Sequence, residues 1–278
     1  MLLGLKVDVH TLRGMRDGVP RLIDVLVKHA AGATFYFAFG PDRRWLLPAA
    51  DLGRRGADLM RHVRDSGFET GLRAFDDTRW QHRIVNAGTA WIEQQMQRGI
   101  DGYADVFREA PRTHGAAGWR MSAHALRLTQ RLGFDYASDG RGTSAHLPVW
   151  NAELIRCPQF PTTLPTLDEL VGHDGIDVGN VAAHVLQRTT EPAGDHVFTL
   201  SAEREGGKLA AVFEQLVIGW LAQGYRLVHL RGLYEAVEPL ALPRCEVGWG
   251  SVPGRAHMML VQGEPFLAVA EPHAEPSL

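Results

Sequence analysis

The 278-residue chain is 45% hydrophobic and 22% charged, enough apolar material for a large core in one barrel-sized domain or two small ones. A formal net charge of −3 gives no basic face for nucleic acid, and two distant cysteines, Cys157 and Cys245, argue against a disulfide framework or a thiolate zinc site. No secretory pattern opens the sequence and no apolar run approaches the roughly 20 residues needed to span a bilayer, so the expected location is the reducing cytoplasm.

Short apolar runs alternate with segments of helical periodicity, the signature of repeated β-α units. The first strand is expected at Leu3 to Val9, ending at His10, a hydroxyl, an arginine and a glycine. Gly18, Val19 and Pro20 then open a helix with proline in its first turn and with Leu22, Leu26 and Val27 at helical spacing. A strand at Ala33 to Phe39, a helix near Gly53 to Ser66, a strand at Phe68 to Phe75 and a helix near Gly88 to Glu109 follow. Further strands are expected at Thr113 to Trp119, Tyr136 to Asp139, Leu154 to Gln159, His196 to Ala202 and Arg226 to Leu230. Helices near Ser122 to Leu132, Val178 to Gln187 and Leu209 to Gln223 lie between them. About seven or eight such units predict an α/β fold of the (β/α) barrel kind. A doubly wound open sheet is the alternative, but no GxGxxG turn or Walker A loop brings a nucleotide to it. From Pro239 onward proline and glycine increase around one strand-like run, His257 to Gln262, which reads as an appendage. The expected organisation is a barrel domain over 1–238 and a C-terminal extension over 239–278.

In such a fold the ligand sits beyond the carboxyl ends of the strands, and polar residues gather there. Asp8 and His10 share one face of the first strand, close enough to serve one metal ion or one proton relay. Arg73, Asp76 and Asp77 follow Leu72; Arg120 follows Trp119; Asp139 and Arg141 follow Ser138; Ser201, Glu203 and Arg204 follow Leu200. One such charge is ordinary loop solvation; five strands aiming charges at one rim describe a site. His82 and His114 are the histidines placed to lend a further ligand, while Trp80, Trp91 and Trp119 read more simply as packing than as a sugar-stacking platform.

The ordered motifs DVHTLRG, GLRAFDDTRWQ, THGAAGWR, YASDGRG, FPTTLPTLDEL and VFTLSAE resemble the polysaccharide deacetylases of the NodB homology type, and within them the deformylase branch of the aminoarabinose pathway that modifies lipid A. The resemblance spans Leu5 to about Tyr234. It implies a distorted (β/α) barrel and a divalent metal, usually zinc, held by one Asp and two His to activate water against an N-formyl or N-acetyl group. It assigns the general base to Asp8, with Arg120 to orient it. The metal positions fall on His10, Arg73 and Asp77, and the leaving-group acid falls on Ser201, with Asp139 to support that acid. Glu203 and Trp119 would face the substrate.

The residue types conflict with those roles. A catalytic zinc site has three protein ligands and an open position; His10 and Asp77 are legitimate ligands, but Arg73 places a permanent cation where a dication would sit. A guanidinium beside Asp8 and Asp77 would pair with either carboxylate instead. Without a metal, water keeps a pKa near 15.7 rather than about 7, and Ser201 is no acid at neutral pH. Two readings follow. One is a binding or regulatory protein that has lost metal-dependent hydrolysis, takes no cofactor, and partners an amino sugar, a polyprenyl-linked sugar or another protein. The other is a working hydrolase of a formamido or acetamido sugar, with zinc or another divalent metal on Asp8, His10, Asp77 and His82. The stretch from Arg43 to Pro48, two arginines beside tryptophan and leucines, is the segment suited to peripheral contact with the inner membrane.

Overall fold

The computed structural model describes residues 1–42, 50–190 and 194–267; the Arg43 to Pro48 stretch lies outside them. In chain order the strands are β1 (Leu2–Val9), β2 (Thr34–Ala38), β3 (Pro41–Asp42), β4 (Ala50–Asp51), β5 (Glu69–Ala74), β6 (Thr113–His114) and β7 (Tyr136–Ala137). They continue with β8 (Leu147–Trp150), β9 (Glu153–Leu154), β10 (His196–Ser201), β11 (Arg226–Val228), β12 (Arg244–Gly250) and β13 (Met259–Pro265). The helices are α1 (Val19–Lys28), α2 (Leu52–Asp65), α3 (Asp77–Arg83), α4 (Thr89–Phe107), α5 (Ala123–Arg131), α6 (Leu167–Leu170), α7 (Val181–Gln187), α8 (Ala210–Ala222) and α9 (Leu230–Tyr234).

Residues Leu3 to Val9 of β1 are all buried. A strand covered on both faces reads as a continuous apolar run rather than an alternation, which is why this segment stands out in the sequence. The parallel sheet runs β10-β1-β2-β5-β6-β7, with β11 pairing the start of β1. The extended segment after β9 joins its two edges: Ala137 N–H donates to Pro158 O at 2.8 Å, and Thr163 N–H donates to Val197 O at 3.1 Å. This closes the curl of the barrel over a core in which Phe198 and Trp220 pack edge to face at 5.1 Å between β10 and α8. Burying side chains of this size contributes roughly 2–3 kcal/mol each.

Three expectations change. Leu154 to Gln159 is not one strand: Leu154 pairs with β8, while Gln159 bridges separately to Ala137 and His146. The Thr113 to Trp119 strand stops at His114, because Gly118 and Trp119 turn into the left-handed region at φ 64° and 53°. Gly14–Gly18 forms a π-helical turn ahead of α1. The glycines make that turn possible, since a Cβ at Gly14 would fall 2.2 Å from Glu203 Oε1 and one at Gly18 would fall 1.9 Å from Ala202 O. The segment from Pro239 builds a second sheet, ordered β13-β12-β8-β9. It is tied to the barrel by Arg141 N–H to Leu260 O and Gln262 N–H to Arg141 O, both 2.8 Å.

Candidate functional site

The carboxyl ends of β1, β5 and β10 open into a cleft of about 610 Å³ lined by Asp8, His10, Arg73, Trp119, Ser201 and Glu203, among others. Period-two alternation along β1 sends Lys6, Asp8 and His10 to the barrel interior. Parallel register sets Asp8 beside Ser201 on one flank and beside Tyr36 on the other.

Arg73, at the end of β5, occupies the centre of the floor. It is 4% exposed; its Nη1 lies 2.5 Å from Asp8 Oδ2 and its Nε donates to Asp77 Oδ1 at 2.6 Å. Asp77 is the first residue of α3, held there because Asp76 caps the helix by accepting from Arg79 N–H at 3.0 Å. Gln81, one turn on, donates to the other Asp77 oxygen at 2.8 Å. Burial alone would raise the Asp77 carboxyl, but the adjacent guanidinium, together with His10 and the Gln81 amide, holds the group below its usual range. Burial likewise opposes the Arg73 charge, and the two carboxylates more than restore it.

The β10 flank forms a second network. Ser201 Oγ donates to Glu203 Oε2 and Thr11 Oγ1 donates to Glu203 Oε1, each at 2.6 Å. His10 Nδ1 lies 3.4 Å from the same carboxylate. Burial pushes Glu203 upward, yet His10 and the two hydroxyls hold it below the ordinary value. Glu205, also at the cleft, accepts from Ser201 N–H at 2.7 Å, and burial raises it to about 7.

Trp119 forms one wall. Its indole N–H donates to Thr162 Oγ1 at 2.9 Å, and the Arg255 guanidinium lies 4.9 Å from its ring. Arg255 comes from the β12–β13 connection. It donates to Asp168 Oδ2 at 2.8 Å and Glu169 Oε1 at 2.7 Å, while Arg204 pairs with Asp168 at 3.0 Å. A left-handed tryptophan backbone is costly, about 1–2 kcal/mol, and this clasp of side chains holds it.

Asp8, His10, Arg73, Asp77, Trp119, Ser201 and Glu203 are thus brought together, and four anticipated residues lie elsewhere. Arg120 makes no ion pair with Asp8 among the described residues: Arg73 takes Asp8, and the Arg120 Nε is buried without a hydrogen-bond partner. Asp139 is fully buried beneath the cleft, where it binds His114 Nδ1 at 2.6 Å and accepts from Ala116 N–H at 2.9 Å. His114 is therefore committed to Asp139, and His82 stands exposed on α3. The sequence reading omitted Thr11, Asp168, Glu205 and Arg255. Glu205 lies two residues beyond a chosen carboxylate and Asp168 within a quoted motif; Arg255 carries no local signal at all. Beneath the floor Lys6 Nζ donates to Ser138 O at 2.6 Å, and burial lowers its ammonium to about 8.

Among the described residues no group of three His, Cys, Asp or Glu side chains is placed to hold a metal ion. The residues at the three ligand positions do not fit one. The Arg73 guanidinium lies between Asp8 and Asp77, offers no lone pair and cannot deprotonate at neutral pH. His10 Nδ1 lies 3.4 Å from the Glu203 carboxylate.

No protein-family model matches the chain. It is 33% identical over 248 residues to a Shewanella sediminis protein named "Probable 4-deoxy-4-formamido-L-arabinose-phosphoundecaprenol deformylase ArnD", covering 77% of this chain and 80% of that one. Among solved structures it is similar to a Mycobacterium smegmatis protein named as a polysaccharide deacetylase, with a TM-score of 0.67, 16% identity, and coverage of 87% of this chain and 92% of that one. It is also similar to a family 4 acetyl xylan esterase from Clostridium thermocellum in complex with cobalt, with a TM-score of 0.57, 13% identity, and coverage of 88% and 97%.

Proposed function

The chain belongs to the ArnD deformylase family of NodB-like polysaccharide deacetylases, and on that premise we propose that it binds an amino sugar in the cleft around Asp8 without carrying out metal-dependent hydrolysis. The observation that carries this reading is the buried Arg73 guanidinium shared between Asp8 and Asp77. It supplies the positive charge that a metal would bring, but neither an activated water nor a vacant coordination position. Ser201 cannot protonate a leaving amine at neutral pH, and its hydroxyl is already donated to Glu203. What remains is a polar cleft with one aromatic wall, suited to hydroxyl-rich ligands. Among the described residues no helix is long and apolar enough to cross a membrane. A polyprenyl-linked sugar, as in the name of the Shewanella relative, would be presented to this cleft from a membrane surface.

The test pairs metal counting with chemistry. After equilibration with excess zinc and gel filtration, the protein should retain far less than one zinc per chain. It should also release no formate from N-formyl-4-amino-4-deoxy-L-arabinose, while that sugar or its amine binds by calorimetry. Near one equivalent of zinc, with formate release that disappears in His10→Ala, would replace this reading with that of a rearranged hydrolase.

A further inference from the structure

We infer that the cleft selects the free amine of an amino sugar, in its ammonium form, over the N-acylated sugar. This rests on the sugar-binding reading and names the class of ligand. The floor gathers three carboxylates, Asp8, Asp77 and Glu203, against the single guanidinium of Arg73. Lys6 beneath the floor offsets one more of them, and with His10 neutral one negative charge remains. The positive residues of the rim are themselves paired: Arg13 with Asp17, Arg204 and Arg255 with Asp168, and Arg255 also with Glu169.

One atom marks where the ligand group belongs. Asp8 lines the cleft yet is only 6% exposed, and its Oδ1 is buried with no hydrogen-bond partner among the described residues. A buried carboxylate oxygen left without a donor is costly. An ammonium group answers both deficits, because it donates up to three hydrogen bonds and carries the compensating charge. A formamide or acetamide nitrogen has one N–H to give and no charge. Its acyl oxygen would lie against the Asp8 or Glu203 carboxylate, because the Arg73 Nε is donated to Asp77 and its Nη1 is held 2.5 Å from Asp8 Oδ2. Selectivity then comes from attraction of the amine and from repulsion of the acyl carbonyl. The preferred molecule is of the kind that de-N-acylation produces rather than the kind it consumes.

The test is calorimetric titration of the full chain at pH 7 with 4-amino-4-deoxy-L-arabinose and, separately, with its N-formyl derivative. The amine should bind at least about tenfold more tightly, the advantage of a charge-assisted over a neutral hydrogen bond. Asp8→Asn should remove most of that preference, bringing the two affinities to within about threefold of each other. Because Asp8 also pairs with Arg73, Glu203→Gln provides an independent variant, expected to reduce the preference without touching that pair. Equal or tighter binding of the formyl sugar by the wild-type protein overturns the inference and leaves the sugar-binding reading intact. Binding of neither sugar overturns both, as does release of formate during the titration.

Discussion

Arg73→Met removes the one cation that the Asp8 and Asp77 carboxylates share. Their side chains are 9% and 8% exposed, so neither charge is well solvated once the guanidinium is gone. Removing one partner of a buried pair costs about 3–5 kcal/mol. Asp77 keeps the Gln81 amide at 2.8 Å and Asp8 borders the cleft, which places the expected loss near the lower end, about 3 kcal/mol at pH 7. The sign with pH follows from the two titrations. In the wild type Asp77 is held below its usual range, so its share of stability is complete above about pH 4 and is lost only as pH falls through the lower folded value. In the variant the bare carboxylates shift upward, so protonation relieves it as pH falls and the gap between the proteins narrows toward pH 4. Urea unfolding followed by circular dichroism at pH 7 and 4.5 reads both quantities. The triple variant Asp8→Asn, Arg73→Met, Asp77→Asn, which removes all three charges, should recover to within about 1 kcal/mol of wild type. A loss under about 1 kcal/mol at pH 7, or the same loss at both pH values, would refute the assignment of Arg73 as the compensating charge.

Glu205, raised by burial to about 7, contributes stability that is present at acid pH and lost as pH rises through that value; Glu205→Gln should therefore flatten the decline in Tm between pH 5 and 8. Gly18→Ala would drive a methyl group into Ala202 O, 1.9 Å away and unable to yield because it is backbone. The expected cost is about 3 kcal/mol, read by urea unfolding, and an unchanged midpoint would mean that the π-helical turn is not held this closely. Arg255→Ala leaves Glu169 with Arg141 and Asp168 with Arg204. It should cost only about 1 kcal/mol, or roughly 3 °C in Tm, while weakening sugar binding and altering Trp119 fluorescence.

The strands that carry the cleft were legible because each is long enough to show its own burial pattern. β2, β5 and β10 lie within the runs expected for them, β1 begins one residue before its run, and Asp8, Arg73 and Ser201 stand at or near their carboxyl ends. The pairing of Arg73 with Asp8 and Asp77 could be anticipated from charge alone. Pairing between distant segments could not. β12 lies parallel to β8, with Arg244 opposite Leu147, and nothing local in either segment announces the other. Arg255 was invisible for that reason: its place in the cleft depends on where the second sheet docks. Trp119 was misread as the end of a strand because two consecutive left-handed residues leave no trace in hydropathy. Arg120 shows the limit of position-by-position transfer. Here Arg73 holds the place beside Asp8 that the resemblance gave to Arg120.

Arg73 also changes what the site depends on. A bound ion stabilises a protein only in proportion to its supply and disappears on dilution or chelation. A guanidinium tethered through the backbone has neither vulnerability: it is present in every copy from the moment of synthesis and needs no loading step. Its penalty is permanence, since it cannot leave to admit a water molecule or return to restore one. On the proposed reading, the floor of this cleft is completed by the chain itself rather than by a loaded ion.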